Sequence, residues 1–579
     1  MRLRCIIAAA MATASSYGFS AHASVPDVLS AADERRYHDI FQLQEAGKLA
    51  EADKLIAKIE NPVLLGYVLE QRYMHPTAYR SSYSELSRWL SAYADHPMSP
   101  DVYRLAVRRR PAGAHPQRPV SRRWRTYQGV ELNQGLEADY RAMDSARRAA
   151  VARIEGRVRY LCADDRPTQA LNYINDPRQN NLLTPRQTDR IMGWIAESYY
   201  LNGKLTEAAR IGNAAADRSG GAAVLAQWTS GLVAWRRGDL EKAYRYHSAM
   251  AEEPHQEASL RAAAAFWAAR AALATGRGEE ALLYLDIASS LPLTFYGQLA
   301  LGQLGRKSGI QWQEIALDAG ELDRLFDKSP RLIRAAALAE VGLTEEASVE
   351  LRYAHGELGD EDDEALLALA GALKSASAQV HIAEAMGVRE DSDQTLWSAL
   401  YPVPDDLAPN GGFSVDKAIL FGLIRQESKF MTDAKSRVGA AGLMQLMPRT
   451  ASYISGDRRL QRVGTSASER LYDPGYNMQL GQSYVETLLT RYNDGRGDLF
   501  EMALSYNWGP GNYGRWSARA GIDDQLLMLE SVPNPEARHF VDYVLTNIWV
   551  YRDRMGEPAP SRDLAASGAR PVYQSVSSK

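Results

Sequence analysis

Cysteine is nearly absent: the 579 residues contain two, Cys5 and Cys162. Cys5 falls inside an N-terminal stretch that reads as an export signal, so the mature chain keeps Cys162 alone. One cysteine forms no internal disulfide, and it reads as an inert buried thiol. Histidine is sparse at 10 residues, and none cluster at ligand spacing. No metal or other cofactor is called for. Neither sign of charge dominates, because the formal net charge is −4. That gives no reason to expect nucleic acid as a partner. Beyond the first residues no apolar run is long enough to span a bilayer. Long alternating runs of β-branched residues are missing as well, which argues against an extensive sheet.

What is present begins with the N-terminus. Met1-Arg2-Leu3-Arg4 is a short basic segment, and Cys5–Ala14 is a small-residue apolar stretch. Ala21-His22-Ala23 fits the small-x-small cleavage rule, so residues 1–23 read as a signal peptide. Cys5 lies well ahead of the cleavage point, where a lipid anchor has no use for it. The expectation is an exported, soluble protein.

From 24 to 390 the chain is rich in Ala, Leu, Glu and Arg and reads helical almost throughout. A glycine followed five residues later by an alanine recurs as Gly47/Ala52, Gly203/Ala208, Gly238/Ala243, Gly276/Ala281 and Gly342/Ala347. Glycine ends one helix in the left-handed conformation, and alanine lets the next helix pack closely. Gly203, Gly238 and Gly276 are 35 and 38 residues apart. Tetratricopeptide-type helix pairs have such periods. Pairs of this kind bury their apolar faces only by stacking, so this stretch reads as an α-superhelical domain. The segment Arg108–Arg125 carries arginines and prolines and reads as a basic surface loop. Proline and glycine mark a linker at 391–412. A separate domain is expected at 413–558, and a disordered tail at 559–579.

The second domain carries the chemistry. Ser414 is a plausible N-cap for a helix running through Phe430, with Leu420, Leu423 and Ile424 on its apolar stripe. Glu427 is the next position on that stripe. Burial raises a carboxyl pKa, and an acid still protonated near neutral pH can donate to a leaving oxygen. A structural glutamate paired with Arg425 or Arg437 is the alternative. Farther on, Gly439-Ala440-Ala441-Gly442-Leu443-Met444-Gln445-Leu446-Met447 combines tight turns, an apolar wall and one amide. Ser505-Tyr506-Asn507-Trp508-Gly509-Pro510-Gly511 reads as a helix end presenting Tyr506 and Asn507. Tyr506, Trp508, Tyr513 and Trp516 offer faces suited to sugar rings.

Three segments in this order carry a resemblance. They are Arg425-Gln426-Glu427-Ser428, the run from Ala434 through Ser436 and Gly442-Leu443-Met444-Gln445 to Ala451, and Tyr506-Asn507-x-Gly509-Pro510-Gly511. Together they resemble the signature motifs of the soluble lytic transglycosylase family, over about 150 residues. Thr294–Ala300 is similar to a segment that precedes that family's linker. The resemblance implies an all-α protein: a helical-repeat superhelix followed by a lysozyme-like, mainly α catalytic domain. It places the catalytic glutamate on Glu427 and substrate contacts on Ser436, Met444, Gln445, Tyr506 and Asn507. A looser fourth segment puts a substrate-binding glutamate on Glu536. Ala537 replaces the family's threonine there, and Phe540 replaces its tyrosine.

The implied activity is cleavage of the β-1,4 bond between N-acetylmuramic acid and N-acetylglucosamine in peptidoglycan, forming 1,6-anhydromuramoyl ends. Two-carboxylate glycosidases are the common case, and no convincing second acid stands in the matched motifs. The substrate's own N-acetyl oxygen would replace it. The implied setting is the periplasm, in cell-wall turnover and remodelling, as a monomer. The superhelix would guide glycan strands or dock cell-wall synthesis or secretion partners. Two other readings stay open: a hydrolytic muramidase of the same fold, and a non-catalytic glycan-binding helical-repeat scaffold.

Overall fold

The computed structural model describes residues 25–121, 125, 134–253, 256–388, 394–492 and 495–575. The expected signal peptide and Arg122, Arg123 and Trp124 of the basic loop lie outside the described residues. Among the described residues every regular element is helical. Extended pairing is confined to isolated bridges such as Ala441–Leu446 and Asp498–Val572.

The chain forms two compact units, and each is assembled from two stretches. The first comprises 1–123 and 315–375, the second 124–314 and 376–579. The stretch 24–390, expected as one superhelical domain, is therefore shared between them. In the first unit the carboxylate of fully buried Glu350 is held by Arg331 Nη1 and Arg334 Nε, both at 2.7 Å, and by the Tyr67 hydroxyl at 2.8 Å. A buried charge persists only when it is paired in this way. Gly47 and Gly342 of this unit have φ of 72° and 80°.

In the second unit, helices Pro185–Leu201, Leu205–Ser219, Val224–Arg236, Leu240–Ala251, Ala258–Ala274, Gly278–Ser289 and Phe295–Gln303 pack each on the next. The reason is local. Gly238 takes φ of 77°, and the Asp239 N–H returns to the Ala234 carbonyl at 2.9 Å, closing one helix. Ala208, Ala243 and Ala281 are fully buried where the next helix meets its neighbour. Glycine and alanine thus play the parts the sequence suggested.

The C-terminal segment is built on helices Lys417–Glu427 and Pro535–Arg554, which cross closely. Gly422 makes this possible, since a Cβ there would lie 2.8 Å from Ile548. Phe295, from the last repeat helix, stacks on Trp549 of the long helix with centroids 5.5 Å apart.

Three expectations are corrected. Ser414 is not the helix cap: its N–H donates to Gln482 Oε1 at 3.0 Å, and the helix begins at Lys417 after Asp416, which is tied to Arg552. The linker is partly structured, with helix Trp397–Leu400 and buried Trp397 and Tyr401; its residues 391–393 lie outside the described set. The tail is not disordered through 575: helix Pro560–Ala566 forms, and Ser561 Oγ accepts the Trp549 indole N–H at 3.0 Å. Proline at the first helical position and two buried alanines give that helix a start and a face. Residues 576–579 lie outside the described set.

Candidate active site

Glu427 is the last residue of its helix. Lys429 and Phe430 follow with φ of 51° and 64°, so the chain reverses at once and the expected continuation through Phe430 is absent. Glu427 keeps some surface open to solvent, yet its carboxyl is crowded by protein. Burial pushes its pKa up to about 8, and the negative charge of Glu536 adds to the effect. Among the described residues no hydrogen bond or ion pair holds this carboxyl.

The structural alternative fails on geometry. Arg425 turns away: its Nε donates to the Leu400 carbonyl at 2.6 Å and its Nη1 to Asn547 Oδ1 at 3.3 Å. Its guanidinium lies over the Tyr401 ring, 4.4 Å from the centroid. Lys429 pairs with Glu384. Arg437 is exposed.

Tyr506 stands in the last turn of helix Leu499–Trp508, which Gly509 ends at φ of 87°. Its hydroxyl donates to the Met444 carbonyl at 2.7 Å. Burial pushes the phenol well above its usual range, and the adjacent Glu427 charge reinforces this. Phe540 lies parallel to the Tyr506 ring, with centroids 6.0 Å apart and 10° between planes. Tyr484 flanks it at 5.3 Å. Asn507 is partly exposed on the same helix turn.

The loop between Phe430 and Pro448 folds on its own backbone. The Gly442 N–H donates to the Ala434 carbonyl at 2.9 Å, and Ala441 and Leu446 exchange hydrogen bonds at 3.1 and 3.0 Å. Ser436 Oγ accepts the Ala440 N–H at 2.9 Å, so this hydroxyl braces the loop, and among the described residues it makes no hydrogen bond to Glu427. Gln445 takes φ of 44°, and its amide donates to the carbonyls of Ala434 and Gly442 at 3.0 and 2.9 Å. Only its carbonyl oxygen remains for a ligand. Met444 departs from the expected cleft wall. Its side chain is fully buried against Gly481, and what it offers the site is its carbonyl.

Sequence reasoning missed Asn477. It is fully buried and makes three hydrogen bonds: from the Met444 N–H at 2.8 Å, and to the carbonyls of Ala441 and Leu471 at 3.0 and 2.7 Å. It sits one helical turn after the cap Asp473, a place that no periodicity marks. Glu536 is exposed in the first turn of helix Pro535–Arg554. It neither caps that helix, a task of Asn534, nor pairs with Arg538, which binds Glu197 at 2.8 Å. Tyr513, read as a sugar platform, is instead 2% exposed in the core. Trp508 and Trp516 remain partly open, 6.4 Å apart.

Comparison with known proteins agrees with this architecture. Residues 408–528 match the family described as Transglycosylase SLT domain. The chain is 35% identical over 147 residues to the soluble lytic murein transglycosylase of Escherichia coli K12, covering 25% of this chain and 22% of that protein. It is 29% identical over 143 residues to a putative soluble lytic murein transglycosylase of Haemophilus influenzae, covering 24% and 23%. The matched region thus spans less than a quarter of the length of either relative. The fold resembles the X-ray structure of an inactive mutant of lytic transglycosylase Slt from Pseudomonas aeruginosa, with TM-score 0.55 and 19% identity. That likeness covers 92% of this chain and 88% of that one. The all-α fold with a lysozyme-like C-terminal region is therefore shared. The match to the Transglycosylase SLT domain and the sequence similarity to the soluble lytic murein transglycosylases both fall on the C-terminal part of the chain.

Proposed function

We propose that the protein is a periplasmic lytic transglycosylase acting on peptidoglycan glycan strands, with Glu427 as its single acid and base. The observation that carries this reading is the Glu427 carboxyl, raised to about 8 by burial, at a helix end beside Tyr506. A carboxyl in that state holds a proton at neutral pH and can give it to a leaving glycosidic oxygen.

Glu427 donates that proton to the oxygen between N-acetylmuramic acid and N-acetylglucosamine. The substrate's N-acetyl oxygen supports the cation at C1 in place of a second carboxylate. Glu427, now ionised, takes the proton of the C6 hydroxyl, and that oxygen closes on C1. The product is a 1,6-anhydromuramoyl end. Tyr506, Asn507, Ser436 and the free carbonyl of Gln445 shape the groove in which the sugar lies. The exposed Glu536 bears on Glu427 electrostatically. The helical repeats guide the strand.

The test is digestion of purified sacculi followed by mass spectrometry. Anhydro ends are about 18 Da lighter than reducing ends, the mass of one water. Reducing ends as the main product would make the enzyme a hydrolytic muramidase. Wild-type protein that binds glycan without cleaving it would make it a scaffold. Glu427→Gln, isosteric but unable to cycle a proton, is expected to fold and to lose at least about a thousandfold in rate. Activity within tenfold of wild type would remove Glu427 from the mechanism.

A further inference from the structure

Three residues preceding Glu536, namely Asp524, Glu530 and Ser531, hydrogen-bond to the helical repeats. Arg270 and the Trp235 indole bind Asp524 at 2.7 and 3.2 Å. The Tyr296 hydroxyl donates to Glu530 Oε1 at 2.5 Å, and the Trp267 indole donates to that hydroxyl at 3.0 Å. Tyr200 and Ser531 share a hydrogen bond at 2.7 Å. Arg538 closes the series: Nη2 binds Glu197 at 2.8 Å, and Nη1 donates to the carbonyls of Glu530 and Val532 at 3.3 and 3.4 Å.

Helix periodicity turns this into a positioning device. Glu536 and Phe540 are four residues apart and share one face of helix Pro535–Arg554. Phe540 stacks on Tyr506, and the Glu536 charge reaches Glu427. Arg538 is two residues from each, about 200° around the helix, and faces the repeats. Fixing Arg538 therefore fixes the rotation of the opposite face. We infer that Glu197, on repeat helix Pro185–Leu201, is a positioning residue for the active site, acting through Arg538 to set Glu536 and Phe540 against Glu427 and Tyr506. Its catalytic consequence rests on the function proposed above, while its electrostatic consequence does not.

The charged surroundings are accounted for on each side. Glu427 is faced by Glu536 and Tyr506, while Arg425 on its own helix turns away and Lys429, just past its end, pairs with Glu384. Arg538 is bordered by Glu197, Glu530, Asp542 and His539. Burial pushes the Glu530 and Asp542 carboxyls up, and the ion pair that Arg538 Nη2 makes directly is with Glu197, at 2.8 Å.

The experiment compares wild type, Glu197→Gln and Tyr296→Phe as full chains. Each is also made with Glu427→Gln, and Tm is measured from pH 4 to 9. The Tm difference that Glu427→Gln produces reports Glu427 titration without any turnover. Glu197→Gln is expected to move that titration down by about one pH unit. The alkaline limb of kcat/KM should move with it: a loss of about tenfold at pH 8.5 and less than about threefold at pH 5.5. Glu197→Asp should recover part of the shift. Where Glu197→Gln does not fold, Tyr296→Phe decides, with a shift in the same direction. An unmoved Glu427 titration in a folded variant overturns the inference, even if Tm falls. Absence of turnover in wild type with a shifted titration defeats the functional proposal alone.

Discussion

Phe540 and Tyr506 lie face to face, 6.0 Å between ring centroids and 10° between planes. The stack leaves the Tyr506 hydroxyl aimed at the Met444 carbonyl. Phe540 is 4% exposed, so truncation opens a cavity as well as freeing the tyrosine. Phe540→Ala is expected to cost about 3–4 kcal/mol in chemical denaturation and at least about tenfold in kcat. Phe540→Tyr retains the stacked ring and should stay within about 1.5 kcal/mol of wild type. If the alanine variant keeps wild-type kcat, the stack has no part in orienting Tyr506.

The pH dependence of stability follows from Glu427. Its folded pKa of about 8 stands above the ordinary 4.5. The folded state therefore holds the proton more tightly than the unfolded chain. This contribution is fully present below about pH 4.5 and is lost as pH rises through 8. Glu427→Gln removes the titration, so the variant should be more stable than wild type at pH 8.5, by at most about 5 kcal/mol. The gap should close near pH 4. A gap independent of pH would show that the carboxyl is not held neutral by the fold.

Asn477 holds the Met444 segment by three buried hydrogen bonds. Asn477→Ala leaves the Met444 N–H and the Leu471 carbonyl without partners, while the Ala441 carbonyl keeps the Leu446 N–H, and the expected loss is about 3 kcal/mol. Because the Met444 carbonyl anchors Tyr506, kcat should fall along with stability. Hydrogen exchange at the Met444 amide gives a direct readout: protection there equal to wild type would contradict the assigned bond.

Gly442 has φ of 73°, and a Cβ there would collide with the Leu471 carbonyl and the Asn477 amide. Gly442→Ala is expected to lose more than about 2 kcal/mol and to disrupt the loop that carries Ser436 and Gln445. Gly439→Ala is also at positive φ but meets open space, so it should cost less than Gly442→Ala. Equal costs for the two would mean that backbone conformation, not the collision, decides.

Much of this was legible in the sequence, where one residue type answers one local demand. The glycine–alanine pairs recorded helix ends and close packing directly. Glu427 stood out because a carboxyl on an apolar stripe is chemically anomalous. What was not legible depends on distant chain segments meeting. Tyr513 carries the same aromatic signal as Trp508, yet its hydroxyl reaches Glu501 inside the core at 3.2 Å. Arg538 and Glu197 are 341 residues apart, and nothing local to either names the other. The tail, rich in Pro, Ala and Ser, read as disordered, but Val572 pairs with Asp498 and Ala565 is buried.

The abrupt stop after Glu427 has an electrical meaning. The last carbonyls of a helix point beyond its C-terminus and carry about half an electron of negative charge. An anion is unwelcome at that pole, so peptide dipoles help keep the Glu427 proton in place. Extending the helix by even one turn past Ser428 would carry that pole beyond the carboxyl and weaken its hold. The left-handed turn at Lys429 and Phe430 thus acts as an acidity setting written in the main chain, which side-chain grafting alone would not transfer to another scaffold.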